Sequence, residues 1–400
     1  MRDGGPTRSV LLAMAGAAVA SLAATARASA ASPITWSAPE QVLPGFVAPA
    51  FGEQPESTPE FRGVACPAST LCVAVDDKSD IVTSANPTGG AATWHTAHIP
   101  SATLSGVTCR SRTLCVAWGG SGIESSIDPA GGAGAWTRAS IGHGSVDAVA
   151  CPDASLCLAI TGANTLFTST DPGAGERARW KLTMSHIDAS YSHELGRSIV
   201  SALACPSVKL CVAVDSAGRV IASSHPQRAS AWSVADVDPR VETEPGLEAS
   251  PGIPAEHGSP GLAGTPAIPP TMVDAPLTAI SCPSVSFCTA VDAFGTIAYS
   301  ADPGGGAGAW KLSNVHPEDL RRDTATDVSC AAVSPCVYVG SDGLSAFSPG
   351  SVRVLAGPAS EPASYSTRRI DATYLDAVAC APNSICVAVD DDASVVVGTY

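Results

Sequence analysis

Residues 282–310 read CPSVSFCTAVDAFGTIAYSADPGGGAGAW. The same residue types return at matching offsets in CPASTLCVAVDDKSDIVTSANPTGGAATW at 66–94 and CPSVKLCVAVDSAGRVIASSHPQRASAW at 205–232. Internal repetition has to be settled before domains are counted, because a repeat array of 400 residues can be one closed body. Within the unit a β-type run (LTAIS) precedes the first Cys, and an apolar run (TAVD) follows the second. A tight turn at Asp292-Ala293-Phe294-Gly295 leads to a third run, TIAYS, and a Gly-rich loop then leads to a Trp that opens a fourth. Short β-branched and aromatic runs separated by turn residues predict four antiparallel strands per unit.

All fourteen cysteines obey one spacing, in seven pairs with five residues between: Cys66 and Cys72, Cys109 and Cys115, Cys151 and Cys157, Cys205 and Cys211, Cys282 and Cys288, Cys330 and Cys336, and Cys380 and Cys386. A zinc site would need ligands in fours, usually two residues apart, and no His recurs beside these pairs. The pairs therefore predict seven local, structural disulfides, each stapling the hairpin between the first and second strands. The closed loops are small, so chain-entropy reasoning gives about 2 to 3 kcal/mol per bridge.

Seven four-stranded units predict an all-β chain folded as a seven-bladed β-propeller. A β-sandwich also uses short strands and turns but has no reason to repeat its staple seven times. Blades are expected to begin near residues 62, 105, 147, 201, 278, 326 and 376. The seventh unit runs from Cys380 through VVVGTY and stops at Tyr400 after three strands. Residues 34–38, ITWSA, match the strand openings ATWHT and GAWTR, so the segment from 36 to 65 is expected to supply the missing outer strand and then connect to blade 1. Such closure removes exposed sheet edges.

The turn between third and fourth strands resembles the Asp-box of the sialidase-like (BNR) propeller family, Ser-x-Asp followed by Gly and Trp. It stands at Ser300-Ala301-Asp302 to Trp310, Ser126-Ile127-Asp128 to Trp136, and Ser169-Thr170-Asp171 to Trp180. The chain departs from that pattern in a Pro and a longer Gly-rich stretch, in Asn86 and His225 at the Asp position, and in a sixth unit with Ser348-Pro349 and no Trp. The resemblance implies a fold and carries no activity with it, since the Asp-box is a folding element.

The first thirty residues combine Arg2 and Arg8, an apolar run from Ser9 to Ala24, and the small triplet Ala28-Ser29-Ala30. This predicts a signal peptide over 1–30, a single propeller over 31–400, and a secreted, extracellular location. The apolar run is too short and too rich in Ala and Gly for a membrane anchor, so no membrane insertion is expected after cleavage. The formal charge is −15 with 22 Lys and Arg, and the mature chain sits near −17. A chain this acidic offers no footprint for nucleic acid. No cofactor motif is present: Gly-x-Ser-x-Gly, phosphate-loop and dinucleotide signatures are absent, and neither cofactor nor metal is expected.

The spacing from first Cys to Trp is nearly constant, 28, 27, 29, 27 and 28 in the first five units, whereas Trp to the next Cys runs 30 from Trp36, then 15, 15, 25, 50 and 20. Length variation is thus confined to the connections between blades, which share a face with the turns between second and third strands. The longest, 236–274, is rich in Pro, Gly and Glu and predicts a flexible surface loop. Four residues before the first Cys of each unit stand Arg62, Ser105, Asp147, Ser201, Thr278, Thr326 and Asp376, a ring expected at the channel mouth. The next position is Gly or Ala except at Asp327, a polar departure from the repeat. Candidate ligand-binding residues are therefore Arg62, Asp147, Asp327 and Asp376, with Arg321 and Arg368 from the variable connections. SHIDASYSHELGR lacks zinc spacing, and Asp390-Asp391-Asp392 suits a backbone-capping turn better than Ca²⁺.

These readings favour a monomeric, non-catalytic binding or scaffolding module with an extracellular protein or glycan partner. The alternative is a glycoside hydrolase at the channel mouth, which would need converging carboxylates, or the Tyr/Glu pair and arginine cluster that the sialidase-like resemblance implies.

Overall fold

The chain is seen in a computed structural model that describes residues 34–43, 58–100, 102–142, 144–162, 164–187, 199–238, 241–244, 271–314, 324–341, 350–355, 365–370, 374–382 and 384–400. The expected signal peptide over 1–30 and the candidate Arg321 lie outside them.

The repeat folds as seven antiparallel sheets, six of four successive strands each and a seventh of three successive strands completed by the N-terminal segment. In blade 1 these are Phe61–Ala68, Leu71–Asp76, Asp80–Ser84 and Trp94–His98, and in blade 5 Leu277–Ser284, Phe287–Asp292, Thr296–Ser300 and Trp310–Asn314. Blade 6, despite its missing Trp, keeps an outer strand at Tyr365–Arg369. The inner strands, from Phe61–Ala68 round to Leu375–Ala381, pack each against the next, and the last returns to the first. The fold is therefore an all-β, seven-bladed propeller.

Closure occurs where the seventh unit lacks a strand. Thr35 pairs with Thr399 and Trp36 with Gly398, and Glu40 and Gln41 continue along the same edge opposite Val395 and Ser394. The Val397 amide donates to Ser37 Oγ at 3.0 Å and the Ser37 amide donates to the Val397 carbonyl at 2.8 Å.

The core is divided among the blade interfaces, one hydrophobic cluster at each. Second strands such as LCVAVD are buried along their whole length because both faces meet a neighbouring blade. Val73 and Val75 point to blade 2, while Ala74 points to blade 7. That two-sided burial is why these strands read as continuous apolar runs rather than an alternation. Each Trp that opens an outer strand enters the cluster shared with the preceding blade: Trp94 joins the blade 7 to 1 cluster and Trp310 the blade 4 to 5 cluster. Trp36 joins the blade 6 to 7 cluster, which assigns it to blade 7 on packing as well as on pairing. The interface between blades 5 and 6 contains no Trp among the described residues; there Tyr338 is buried and its hydroxyl lies 3.1 Å from Thr289 Oγ1.

Two further repeated devices hold the hairpins. The first is the disulfide, formed in every blade between the partners that the spacing predicts. Cys66 is bonded to Cys72, Cys109 to Cys115, Cys151 to Cys157 and Cys205 to Cys211. Cys282 is bonded to Cys288, Cys330 to Cys336 and Cys380 to Cys386, which leaves no free cysteine. In each pair the second member, Cys72, Cys115, Cys157, Cys211, Cys288, Cys336 or Cys386, sits fully buried in the second strand, so the staple is anchored in the core and its turn faces outward. Seven such bonds place the chain in an oxidising compartment. The second device is a buried Asp that ends the second strand in four blades, with its Oδ1 accepting the amides two and four residues on. Asp76 accepts from Lys78 and Asp80, Asp215 from Ala217 and Arg219, Asp292 from Phe294 and Thr296, and Asp390 from Asp392 and Ser394. Asp390 is thus a turn-closing residue.

The Ser-x-Asp-Pro turns have a common bonding pattern. Ser84, Ser126, Ser169, Ser223 and Ser300 are buried, and each Oγ accepts the amide two residues on, at 3.0 to 3.4 Å. The indoles of Trp136, Trp232 and Trp310 donate to the carbonyls of Pro129, Pro226 and Pro303. The third residue contributes its backbone amide, which Asn86 and His225 supply as Asp does; in blade 3 Asp171 Oδ1 also accepts the Arg179 amide at 3.1 Å.

The insertion at 236–274 is not loop throughout. Val241–Glu244 and Thr271–Asp274 pair as a two-stranded antiparallel ribbon at its base. VETE and TMVD both carry β-branched residues in alternation, a strand signal masked by the Pro and Gly between them. Among the described residues no helix is long and apolar enough to cross a membrane.

Candidate functional site at the channel mouth

The inner strands do not begin as regular ladders. In blade 1 Phe61 pairs with Asp76 and Gly63 with Val75, leaving Arg62 as an extra residue opposite none. The same shift isolates Asp147, Ser201, Thr278, Thr326 and Asp376 in blades 3 to 7. Only blade 2 lacks it, and there the Ser105 amide donates to the Trp118 carbonyl at 2.7 Å. A β-bulge re-aims its extra residue and is common beside binding sites. Here one device, repeated in six of the seven blades, turns a polar residue toward a shared space.

That space is a cavity of about 300 Å³ whose wall includes all seven ring residues and Asp327. It lies at the end of the channel where second strands finish, because the ring residues stand beside those strand ends in the register. Gly63 explains the small residue that follows the ring: a Cβ there would come 3.1 Å from Gly106 Cα of the next blade.

The wall is heterogeneous in what its polar groups are free to do. Thr278 Oγ1 donates to the Ala325 carbonyl at 3.0 Å and Thr326 Oγ1 to the Leu375 carbonyl at 2.6 Å, so both hydroxyls tie their blade to the next. Asp327 belongs to the same system. Its Oδ1 accepts the Val328 amide and its Oδ2 the Val378 amide of blade 7, both at 2.8 Å. Ser281 and Ser329 repeat this bridge, accepting the amides of Cys330 and Cys380 at 3.0 and 2.9 Å. The break in the small-residue rule at Asp327 therefore has an inter-blade explanation. Burial pushes Asp327 up to about 7, against the pull of its two amide donors.

Asp147 and Asp376 differ from Asp327 in having an oxygen left over. Each has a buried Oδ2 with no hydrogen-bond donor among the described residues. Burial pushes Asp147 up to about 6. Burial first, and the charge of Asp391 second, push Asp376 up to about 7 against the pull of Arg62. Arg62 itself is ion-paired with Glu60. Trp118, a residue sequence reasoning passed over, also lines the cavity; its indole donates to the Asp147 carbonyl at 3.3 Å, and its ring occupies the space a Gly106 side chain would need. Its signal was a large aromatic where the other second strands carry Val or Ile.

Of the sequence candidates, then, Arg62, Asp147, Asp327 and Asp376 meet in one cavity. The backbone of Arg368 lies on the outer strand of blade 6, opposite Val352 in the register. Among the described cavity-lining residues there is one arginine and neither tyrosine nor glutamate. Among the described residues no cluster of His, Cys, Asp or Glu could hold a metal ion.

No family model matches the chain, and no curated protein matches it. Many solved structures resemble it in fold. One titled "Structure of U3-55K" has a TM-score of 0.58 at 11% identity, covering 85% of this chain and 95% of its own. "Crystal structure of RRP9 WD40 repeats" has 0.57 at 11%, covering 91% and 99%. "YCF48 from Cyanidioschyzon merolae" has 0.56 at 11%, covering 90% and 98%. At such identity these likenesses establish a shared fold alone, a β-propeller of the kind commonly used as a binding or scaffolding module.

Proposed function

We propose that this chain is a secreted, non-catalytic β-propeller that binds an extracellular protein or glycan at the channel mouth and on the variable connections of that face. The observation that carries the reading is a contrast between two kinds of repeated position. The disulfide recurs in all seven blades, the Trp in six, the buried turn serine in five and the turn-closing aspartate in four. The ring position instead reads Arg, Ser, Asp, Ser, Thr, Thr and Asp, and it opens onto a polar cavity of about 300 Å³. A purely structural demand repeated in every blade asks for the same residue in every blade. A concave, polar site with several distinct side chains suits recognition. The leader over 1–30 and the disulfides support export. The Ser-Oγ turn geometry supports kinship with Asp-box propellers in folding, not in chemistry.

A second reading, glycoside hydrolysis, draws on Asp376, whose carboxyl near 7 is suited to a general acid. Against it, the described wall lacks the arginine cluster and Tyr/Glu pair that the sialidase-like resemblance implies. The test is a screen of the oxidised, full-length secreted protein on glycan arrays and fluorogenic glycosides, with a D147N/D376N variant alongside. Ligands whose binding drops in the variant support the proposal. Glycoside turnover abolished by D376N would replace it with the second reading.

A further inference from the structure

We propose that the channel mouth takes an uncharged sugar ring, a pyranose stacked on the indole of Trp118 and hydrogen-bonded by polar groups of blades 2 to 4. The inference rests on the binding reading above and names the ligand class for that same cavity. Three residues after the second Cys of each unit stand Val75, Ile160, Val214, Val291, Val339 and Val389, each at most 2% exposed at a blade interface. Blade 2 has Trp118 there instead. It is half-buried: it packs against the blade 2 to 3 cluster and also forms part of the cavity wall. Packing alone is satisfied by Val or Ile in six blades, and the indole adds apolar surface at the mouth of a polar channel. Its partner across the ladder is Gly106, where a Cβ would overlap the ring, whereas blades 3, 4, 5 and 7 carry Ala at that place. Two departures from the repeat thus combine to present one aromatic ring to the cavity.

The residue is tied to both of its neighbours on the wall. Its Nε1 donates to the Asp147 carbonyl at 3.3 Å, and its carbonyl accepts the Ser105 amide at 2.7 Å, which sets Ser105 and Asp147 beside it. The polar groups in this part of the wall are also the unspent ones. In blades 5 and 6 the hydroxyls of Thr278 and Thr326 and both oxygens of Asp327 are bonded to the backbone. In blades 2 and 3 the Ser105 hydroxyl and Asp147 Oδ1 have no hydrogen-bond partner among the described residues, and in blade 4 the exposed Ser201 Oγ has only a 3.5 Å contact with the Ile199 carbonyl. An aromatic ring flanked by hydroxyls and a carboxylate matches a pyranose, whose C–H face lies on the ring while its hydroxyls donate to the carboxylate and exchange bonds with the serines. A cavity of about 300 Å³ is at the small end of ligand sites and suits a single ring. Arg62, the one arginine of the described wall, is paired with Glu60, so an acidic or sulfated sugar gains no free cation there.

Isothermal titration and tryptophan fluorescence of the full-length oxidised protein at pH 7.5 test this with the methyl glycosides of glucose, galactose, mannose and N-acetylglucosamine, the corresponding disaccharides, and glucuronate as the charged comparison. Saturable binding of at least one neutral sugar is expected, with a fluorescence change. The affinity should fall at least tenfold in G106A/W118V, which gives blade 2 the residues that most other blades carry, and severalfold in S105A and in D147N. Those two single substitutions change one polar group each and decide the matter if the double variant melts early. A disaccharide at least as tight as its monosaccharide assigns the site to the end of a glycan, and a tighter monosaccharide assigns it to a free sugar. Binding by none of the neutral sugars, tighter binding of glucuronate, or binding undiminished in G106A/W118V overturns the inference. If a protein or another screened ligand loses affinity in D147N/D376N but not in G106A/W118V, the sugar-ring inference falls and the binding-module reading stands. If no ligand depends on either set of substitutions, both fall.

Discussion

Replacing Asp390 by Asn should remove a defined part of the pH dependence of stability. Asp390 is 1% exposed, and its Oδ1 accepts the amides of Asp392 at 3.1 Å and Ser394 at 2.7 Å. Burial, helped by the charges of Asp391 and Asp392, raises its carboxyl from 3.8 to about 6 despite those bonds. Because the folded value is the higher one, the native state holds more protons than the unfolded chain between those two values. Stability from this group is therefore greatest on the acid side and falls as pH rises through about 6. The full effect, from well below 3.8 to well above about 6, is about 3 kcal/mol, or roughly 4 °C in melting temperature for a chain of this size, and about 2 kcal/mol of it falls between about pH 4.5 and about pH 7.5. Asn keeps the Oδ1 acceptor and cannot ionise, so D390N should be at least as stable as the parent at pH 7.5 and should lack that increment of acid stabilisation. D390A, which leaves two buried amides unpaired, should lose about 2 to 4 kcal/mol at every pH. Urea denaturation followed by tryptophan fluorescence at pH 4.5, 6 and 7.5 measures all three proteins, and other titrating groups cancel in the differences. If D390N follows the parent's pH profile unchanged, the assignment of a buried, penalised carboxylate is wrong.

Three further outcomes are expected. S300A should cost about 1 to 2 kcal/mol, since Ser300 Oγ is buried between the Asp302 amide and the Ala309 carbonyl, whereas D302A should stay within about 0.5 kcal/mol; equal losses in chemical denaturation would contradict the backbone-amide account of these turns. W36A should cost about 3 to 5 kcal/mol and raise protease sensitivity at the 394–399 strand, because Trp36 is 4% exposed in the blade 6 to 7 cluster. D327A should speed hydrogen exchange at the Val378 amide, the bond it loses across the blade boundary, and undiminished protection there would refute the strut.

Much of this architecture was legible because its demands recur. A Cys pair, a turn-closing Asp and a Trp, each returning in register with the others, define where blades begin and end, and Trp36 ahead of the first pair marks the strand that the last unit lacks. The wall of the cavity was legible only in part. Arg62, Asp147 and Asp376 follow from counting back from each Cys, but the bulge that re-aims them does not, because a bulge adds one residue without changing residue types. Asp327 stood out as an exception, yet its meaning depends on an amide 51 residues away in another blade, which no local pattern records. The ribbon at the base of the 236–274 insertion escaped because two four-residue strands are outvoted by the Pro and Gly around them.

The pairing of Thr35 with Thr399 joins positions separated by 364 residues, close to the greatest separation the chain allows. Every other blade is complete from a contiguous stretch and can organise as that stretch is made. Blade 7 cannot, since its outer edge waits for a segment from the opposite end of the polypeptide. Loop-closure entropy makes such a contact slow to form and late. Once made, it converts a row of blades with two frayed ends into a circuit with none, so that unfolding has no terminus from which to start. The short N-terminal strand thus bears on how long the fold survives more than on how it is shaped.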